Sequence, residues 1–360
     1  MTAPLVLHVL PIDLPRGAQR YARDMRIALD GAAVSHRVLT LFSSEHRELQ
    51  ADYGLDVVPG RTKRLGLDLG AVVALRKKLR ELQPACLVAH GSQPLKYLAF
   101  AAPTRVPVVA YRLGIAHQAA HRPSQRLLHT ALYRRALRVA GVSNECLEEA
   151  HDLFRVARRK LVLIPNGRDP ERFFPATTKG AGDQPRLIFI GHITASKRPD
   201  FYLDVVADLR AQNVAFEAQM VGDGPLLSSV RERAEQLGVE VMGHRSDVPE
   251  LMRAASVLAF TSIPDGEGMP GVYIEAGLSG VPVVSTDVPG ARTVLVDGQT
   301  GFVVGVDDRS GFVARTAELL QSPARLAEMG KNARARCSEE FSLARSVARW
   351  SELIDELLDG

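Results

Sequence analysis

The 360-residue chain is poor in cysteine and aromatic residues and has no long apolar run. Its three cysteines, Cys86, Cys146 and Cys337, stand far apart without metal-ligand spacing. That pattern argues against a disulfide framework or a zinc site and for a reducing cytoplasm. No stretch approaches the roughly 18 apolar residues of a membrane span. The start, Met1-Thr2-Ala3-Pro4, has no basic region and leads into the run Leu5–Leu10. That run is too short for a signal-peptide core, so a soluble cytoplasmic protein is expected. A Gly-x-Gly-x-x-Gly turn is missing after the first strand of either half, which disfavours a dinucleotide oxidoreductase. Aromatics make up 6% and do not interleave with the basic residues, so nucleic acid is not expected as a partner.

What is present is ordinary for a globular protein: 46% hydrophobic and 24% charged residues, in a length that suits two α/β domains. The net charge of +4 hides an asymmetry. Residues 1–180 are strongly basic, with clusters at Arg76-Lys77-Lys78-Leu79-Arg80, Arg134-Arg135-Ala136-Leu137-Arg138 and Arg158-Arg159-Lys160, and residues 181–360 are acidic. Each cluster alone reads as a solvated helix face. The basic half as a whole suits an anionic acceptor or peripheral contact with a membrane surface.

Short β-branched runs alternate with longer amphipathic stretches, the pattern of a parallel sheet covered by helices. The first set of strands is expected at Leu5–Leu10, His36–Phe42, Ala85–His90, Val106–Tyr111, Arg138–Ser143 and Leu161–Pro165. Helices are expected between them, among them Gln19–Leu29 and Gln125–Leu137. A linker at 176–185, rich in small, polar and breaker residues, separates a domain over 1–175 from one over 186–341. The second set of strands is expected at Arg186–Gly191, Phe216–Gly222, Val239–Gly243, Val257–Thr261, Val281–Thr286 and Gly301–Val304. A terminal helix follows over 342–360. Two doubly wound domains facing each other would bind a ligand in the cleft beyond their strand ends.

The stretch from Pro264 to Ser285 carries the most chemistry. A loop crowded with Gly268, Pro270 and Gly271 opens a short helix around Val272–Leu278, which Gly280 stops. Free backbone N–H groups and the positive end of the helix dipole make such a loop a place for phosphate. Glu267 and Glu275 would repel a phosphate unless they face hydroxyl groups, which a sugar and a ribose supply.

The Glu267-x7-Glu275 spacing, followed by Ala276 and Gly280-Val-Pro-Val-Val, resembles the donor-site motif of glycosyltransferase family 4. The resemblance runs on through Ile164-Pro-Asn-Gly-Arg-Asp169, Val221-Gly-Asp-Gly-Pro225, Gly243-His-Arg-Ser-Asp-Val248, Pro289-Gly290 and Asp297-Gly-x-Thr-Gly-Phe302. It implies the GT-B fold, two Rossmann-like domains facing a central cleft, with the last helix crossing back toward the first domain. It also implies a nucleotide diphosphate sugar as co-substrate, with UDP or GDP as the expected nucleotide, no other cofactor, and retention of the donor's anomeric configuration. By this resemblance Glu267 contacts the sugar hydroxyls and Glu275 the ribose. Gly268, Met269, Pro270 and Gly271 form the phosphate loop, and Gly222, Gly224, His244 and Arg245 approach the nucleotide.

The family grips the diphosphate with an arginine after Gly191 and a lysine five residues further on. Lys197 matches, but His192 stands in the arginine's place, which predicts weaker and more pH-dependent phosphate binding. Gly17 matches the loop glycine near the reacting sugar. The histidine that the family often lays over the donor sugar is missing from Tyr111-Arg112-Leu113-Gly114, and Arg112, His117 and His90 are the open substitutes. No Asp-x-Asp stands at a strand end, so no metal site is expected, and Lys197, His192 and the loop amides would neutralise the leaving group. The acceptor, a glycan, a sugar phosphate or a lipid-linked saccharide, belongs to the basic half. The competing readings are a degenerate protein that binds a nucleotide sugar without turning it over, and a nucleotide-sugar epimerase on the same architecture.

Overall fold

The computed structural model describes residues 3–12, 17–31, 33–42, 51–55, 57, 63–64, 67–116, 122–176, 184–265 and 267–359. They form two units: Met1–Gly167 with Leu343–Gly360, and Arg168–Ser342.

The first unit begins with β1 (Leu5–Ile12), α1 (Gly17–Leu29), β2 (Ser35–Phe42) and β3 (Tyr53–Gly54). An antiparallel hairpin, β4 (Lys63–Arg64) and β5 (Leu67–Asp68), leads into α2 (Leu69–Leu82). Then come β6 (Cys86–His90), α3 (Ser92–Ala101), β7 (Val108–Arg112), α4 (Pro123–Arg134), β8 (Arg138–Gly141), α5 (Asn144–Asp152) and β9 (Leu161–Leu163). The sheet order is β3-β2-β1-β6-β7-β8-β9, and every pairing is parallel. Parallel strands are covered on both faces, which is why β6 and β7 are buried along their whole length. Side-chain caps fix two helix starts: Asp68 accepts from the amide of Ala71 on α2, and Ser143 from that of Cys146 on α5.

The second unit repeats the scheme. It runs β10 (Arg186–Ile190), α6 (Pro199–Ala211), β11 (Glu217–Val221), α7 (Leu227–Gln236), β12 (Val239–Gly243), α8 (Val248–Ala254) and β13 (Val257–Phe260). It continues through α9 (Gly271–Leu278), β14 (Val283–Thr286), α10 (Ala291–Val294), β15 (Gly301–Val304), α11 (Arg309–Gln321) and α12 (Pro323–Glu340). The order β12-β11-β10-β13-β14-β15 is that of the Rossmann fold, third, second, first, fourth, fifth, sixth. Its interior is apolar, with Leu187, Phe189, Tyr202, Leu209 and Phe312 at its centre.

The last helix, α13 (Leu343–Asp359), packs on α1 in the first unit. Trp350 donates through Nε1 to the Tyr21 hydroxyl at 3.1 Å, Tyr21 pairs with Ser346 Oγ at 2.6 Å, and Ser346 donates to the Pro165 carbonyl at 2.8 Å.

The division between the units falls at 167/168, earlier than the expected 175. The reason is that Arg168 is already bound to the end of the second unit: its amide donates to the Phe341 carbonyl at 3.0 Å and it bridges Ser342. The Phe173 carbonyl accepts from Arg334 at 2.8 Å within that same unit. Of the expected linker, residues 177–183 lie outside the described residues.

Candidate donor site

In a Rossmann sheet the ligand crevice lies where the strand order reverses, beyond the carboxyl ends of the two strands that flank the reversal. In the second unit these strands are β10 and β13. The segments that follow them, 191–198 and 261–270, are laced together. Thr261 Oγ1 donates to the Lys197 carbonyl at 2.7 Å, and the Ile263 amide donates to the Ser196 carbonyl at 2.9 Å. This lacing delivers the Lys197 ammonium to the Glu267 carboxylate, where the two form an ion pair. The ammonium also lies 4.7 Å from the centroid of the Phe260 ring. Side-chain exposures of 22% and 15% mean that the pair is largely shielded from water, where an ion pair is screened less than at the surface.

Between Glu267 and α9 the chain is buried at Gly268, Met269 and Pro270. Gly290 backs it so closely that a Cβ there would lie 2.3 Å from the Gly268 carbonyl oxygen. Pro270 precedes the first residue of α9, and no side chain caps that helix. The Tyr273 amide turns back to the Pro270 carbonyl at 3.2 Å, and no side chain competes for the amides of Gly271 and Val272, the part of the first turn open to an anion.

One turn into α9, the Glu275 carboxylate accepts from Arg168 Nε at 2.7 Å, again with low exposure on both sides, 16% and 18%. Each predicted glutamate thus has a cationic partner, through Oε1 in both cases. A carboxylate offers about four acceptor positions, so each pair leaves capacity for a hydroxyl donor.

His192 is exposed, and its Nδ1 lies 2.5 Å from the Asp223 carbonyl oxygen. A carbonyl can only accept, so Nδ1 carries the proton, and Nε2 of the neutral ring is left as an acceptor. Only the imidazolium could donate to a phosphate. Beside it, Gly222 and Gly224 have φ of 138° and 159°. A Cβ on Gly222 would meet the Gly191 carbonyl oxygen at 1.8 Å, and one on Gly224 the Ile193 carbonyl oxygen at 2.5 Å. These glycines are required where the turn after β11 crosses the segment after β10. His244 and Arg245 are exposed just past β12, and Arg245 is forked onto Asp247 at 2.8 and 2.5 Å. The arginine holds the Asp247 carboxyl below its usual range.

The candidates of the first unit are placed differently. Gly17 is the first residue of α1, and the loop before it, 13–16, lies outside the described residues, as does His117. Arg112 is buried: it donates to the Tyr133 hydroxyl at 2.6 Å, pairs with Glu149, and stacks over the Phe154 ring. These partners give its guanidinium a structural role in the packing of α4 and α5. His90 is buried in the sheet, its Nε2 3.1 Å from His8 Nδ1, while His8 Nε2 is 3.1 Å from His36 Nδ1. The three rings sit on the adjacent strands β2, β1 and β6. Burial pushes His90 down to about 3 and His36 to about 4, and puts His8 well below the ordinary histidine range.

Among the described residues no group of three His, Cys, Asp or Glu is placed to hold a metal ion. The histidine row illustrates why: His8 turns its two nitrogens to opposite neighbours, so the three rings do not converge on one point. Sequence reading assigned no role to Arg168. The available signal was a cation in the quoted Pro165-Asn166-Gly167-Arg168-Asp169 stretch, but its partner is 107 residues away.

Two family models match the chain and between them span most of it. The model described as Glycosyltransferase Family 4 matches residues 15–172, and that described as Glycosyl transferases group 1 matches residues 184–322. A GDP-mannose-dependent phosphatidylinositol monomannoside mannosyltransferase of Mycolicibacterium smegmatis is 30% identical over 210 residues, covering 53% of this chain and 55% of that protein. An exopolysaccharide phosphotransferase of Streptomyces coelicolor is 27% identical over 79% of this chain and 30% of its own length. An Escherichia coli α-1,3-galactosyltransferase acting from UDP-Gal on a diphosphoundecaprenol-linked sugar is 23% identical over 84% of this chain and 83% of that protein. The chain thus spans about half of the first relative and under a third of the second. Among solved structures, an Anabaena protein in complex with UDP and glucose matches 98% of this chain and all of that one, with a TM-score of 0.81 at 19% identity. A Rickettsia africae glycosyltransferase matches 99% of both chains, with a TM-score of 0.82 at 16% identity. At these identities the structures speak for the fold.

Proposed function

We infer the activity of this chain from its family: it belongs to glycosyltransferase family 4. On that premise we propose that it moves a sugar from a nucleotide diphosphate sugar to an acceptor hydroxyl, with retention at the anomeric carbon and without a metal ion. The observation that carries the proposal is the Lys197–Glu267 pair at the strand-order reversal of the second unit, beside the uncapped start of α9. In this reading the diphosphate lies on the amides of Gly268–Gly271, Lys197 turns to it, and Glu267 accepts from the sugar hydroxyls. Glu275 accepts from the ribose. The bond from the anomeric carbon to the phosphate oxygen breaks as the acceptor oxygen bonds on the same face. The departing oxygen takes the acceptor's proton, so no protein nucleophile is needed. Fixed positive groups stabilise the charge that grows on that oxygen.

UDP, held by the Anabaena neighbour, and GDP, whose mannose ester the mycobacterial relative uses, are the nucleotides to try first. A thermal-shift and calorimetric screen of UDP, GDP, ADP and dTDP sugars should find one that binds, and Glu267→Gln should abolish its turnover. Failure of the folded protein to bind any of them would sink the proposal. Transfer should survive EDTA; loss restored by magnesium or manganese would refute its metal-free part.

The acceptor is a saccharide or a lipid-linked saccharide met by the basic unit, which touches an anionic membrane surface from one side. Support comes from side chains such as Leu69, Val73, Phe100 and Leu127, exposed on α2, α3 and α4. Among the described residues, Phe174 is the one exposed large apolar side chain of the second unit. Anionic phosphatidylglycerol vesicles should sediment the protein at low salt and release it at high salt. Absence of binding at low salt removes the membrane contact.

A further inference from the structure

We infer that Arg168 is a binding residue for the donor, gripping the terminal phosphate of the nucleoside diphosphate alongside Lys197. This rests on the donor-site reading above and deepens it.

Four observations converge. The Arg168 guanidinium is held by Glu275 at 2.7 Å and is largely buried. It occupies the space of a side chain that α9 lacks: a Cβ on Gly271 would lie 2.0 Å from Nη2 and 2.9 Å from Cζ. Positions 271 and 275 are four apart and share one helix face, so the guanidinium lies beside the first turn, which no side chain caps. A cation there opposes the helix dipole, and the opposition turns into attraction once an anion sits between them. The backbone that delivers it is fixed, because the Arg168 amide donates to the Phe341 carbonyl at 3.0 Å.

The fourth observation concerns the other side of the loop. Nδ1 of His192 is engaged by the Asp223 carbonyl, so the neutral imidazole presents an acceptor where a phosphate needs a donor. With that position unable to donate at neutral charge, Arg168 supplies the second permanent positive group. A guanidinium has five N–H donors in a planar fork, so a bond from Nε to Glu275 is compatible with a bidentate grip on phosphate. Glu275 then has two tasks, accepting from the ribose and holding Arg168 in place.

The test is calorimetry of the full chain with UDP and UMP, and with GDP and GMP if guanine is the base. Wild type, Arg168→Gln, Gly271→Ala and the double variant are compared, with thermal melts to verify folding. Loss of one charge-assisted contact should weaken diphosphate binding by about ten-fold or more in Arg168→Gln, while monophosphate binding changes by less than about three-fold. Gly271→Ala, whose methyl displaces the guanidinium, should weaken the diphosphate in the same selective way. The double variant should be no weaker than Arg168→Gln, since both changes remove one contact. Equal losses for UDP and UMP would mean that Arg168 acts only through Glu275 on the ribose, which overturns the assignment. So would unchanged UDP affinity in Arg168→Gln, or a Gly271→Ala effect that adds in full to it. If wild type binds neither UDP nor GDP, the donor-site reading falls and the inference with it. If wild type binds and the variants match it, only the inference falls.

Discussion

The two units share the same start of their strand order, 3-2-1-4, yet they keep polar groups in different places. The second unit packs its sheet in an apolar core, with Gln219 of β11 bonded to Glu240 of β12, and sets the ion pairs Lys197–Glu267 and Arg168–Glu275 near its loops and the start of α9. The first buries polar rings inside the sheet: His8, His36 and His90 lie on three neighbouring strands, and Arg112 ends the next one. The histidines buried in the first have pKa values lowered by burial, which predicts a unit sensitive to acid. One topology therefore carries paired charges beside its loops in one copy and buried ionisable rings in the other.

Acid should break this symmetry with the largest effect. The folded first unit holds its three histidines with lowered pKa values, so the unfolded chain, near 6.5, binds protons that the fold refuses. Stability is therefore complete above about 6.5 and falls as pH drops toward the folded values of about 4 and 3, by about 1.4 kcal/mol per pH unit for each histidine. Trp350, the single tryptophan of the chain, lies edge-on to His8 at 6.4 Å and so reports on this unit alone. On titration from pH 7.5 to 4, its fluorescence should change before far-UV circular dichroism is half lost. Coincident transitions would mean that the second unit is equally acid-sensitive.

Next in size is Lys197→Ala, which should weaken nucleoside diphosphate sugar binding by about 1.5–3 kcal/mol, roughly 10- to 150-fold, while leaving the tryptophan signal unchanged. Binding isotherms and fluorescence on the same sample check both halves of that statement. Tyr21→Phe is the mirror experiment in the first unit. It removes the hydroxyl that joins Trp350 to Ser346 and should cost about 1–2 kcal/mol in denaturant unfolding without altering donor affinity. The smallest effect is expected from His192→Arg. A permanent cation there should raise donor affinity a few-fold, because every guanidinium N–H donates whereas the neutral imidazole presents Nε2 as an acceptor. Unchanged affinity in His192→Arg would show that position 192 does not face the phosphate.

The sequence exposes the second unit better than the first because its candidate site is written locally. Strand Val257–Phe260, the crowded glycines and the Glu267–Glu275 spacing lie within one stretch of chain, and α9 begins within a residue of where that stretch implies. The twelve expected strands match observed ones to within two residues at either end, whereas the two-residue edge strand β3 (Tyr53–Gly54) was not among them. The first-unit features are set by contacts across strands. His8 sits inside the run Leu5–Leu10, and nothing nearby says that His36 and His90 will face it. Arg112 stands at a strand end that invites a catalytic reading, and only the fold reveals Glu149 and Tyr133 waiting for it. The two-residue strands of the β4–β5 hairpin are too short to carry a periodic signal. Arg168 was visible as a residue, but a separation of 107 positions hides its link to Glu275.

The helix Leu343–Asp359 completes the first unit although it is translated after the whole of the second. As the chain leaves the ribosome, residues 168–342 can therefore finish folding while the amino-terminal sheet still lacks Trp350 and the Ser346 hydroxyl that bridges to Pro165. The order of manufacture and the order of completion run opposite to each other, so the half begun first receives its closing helix only after the second half has been made.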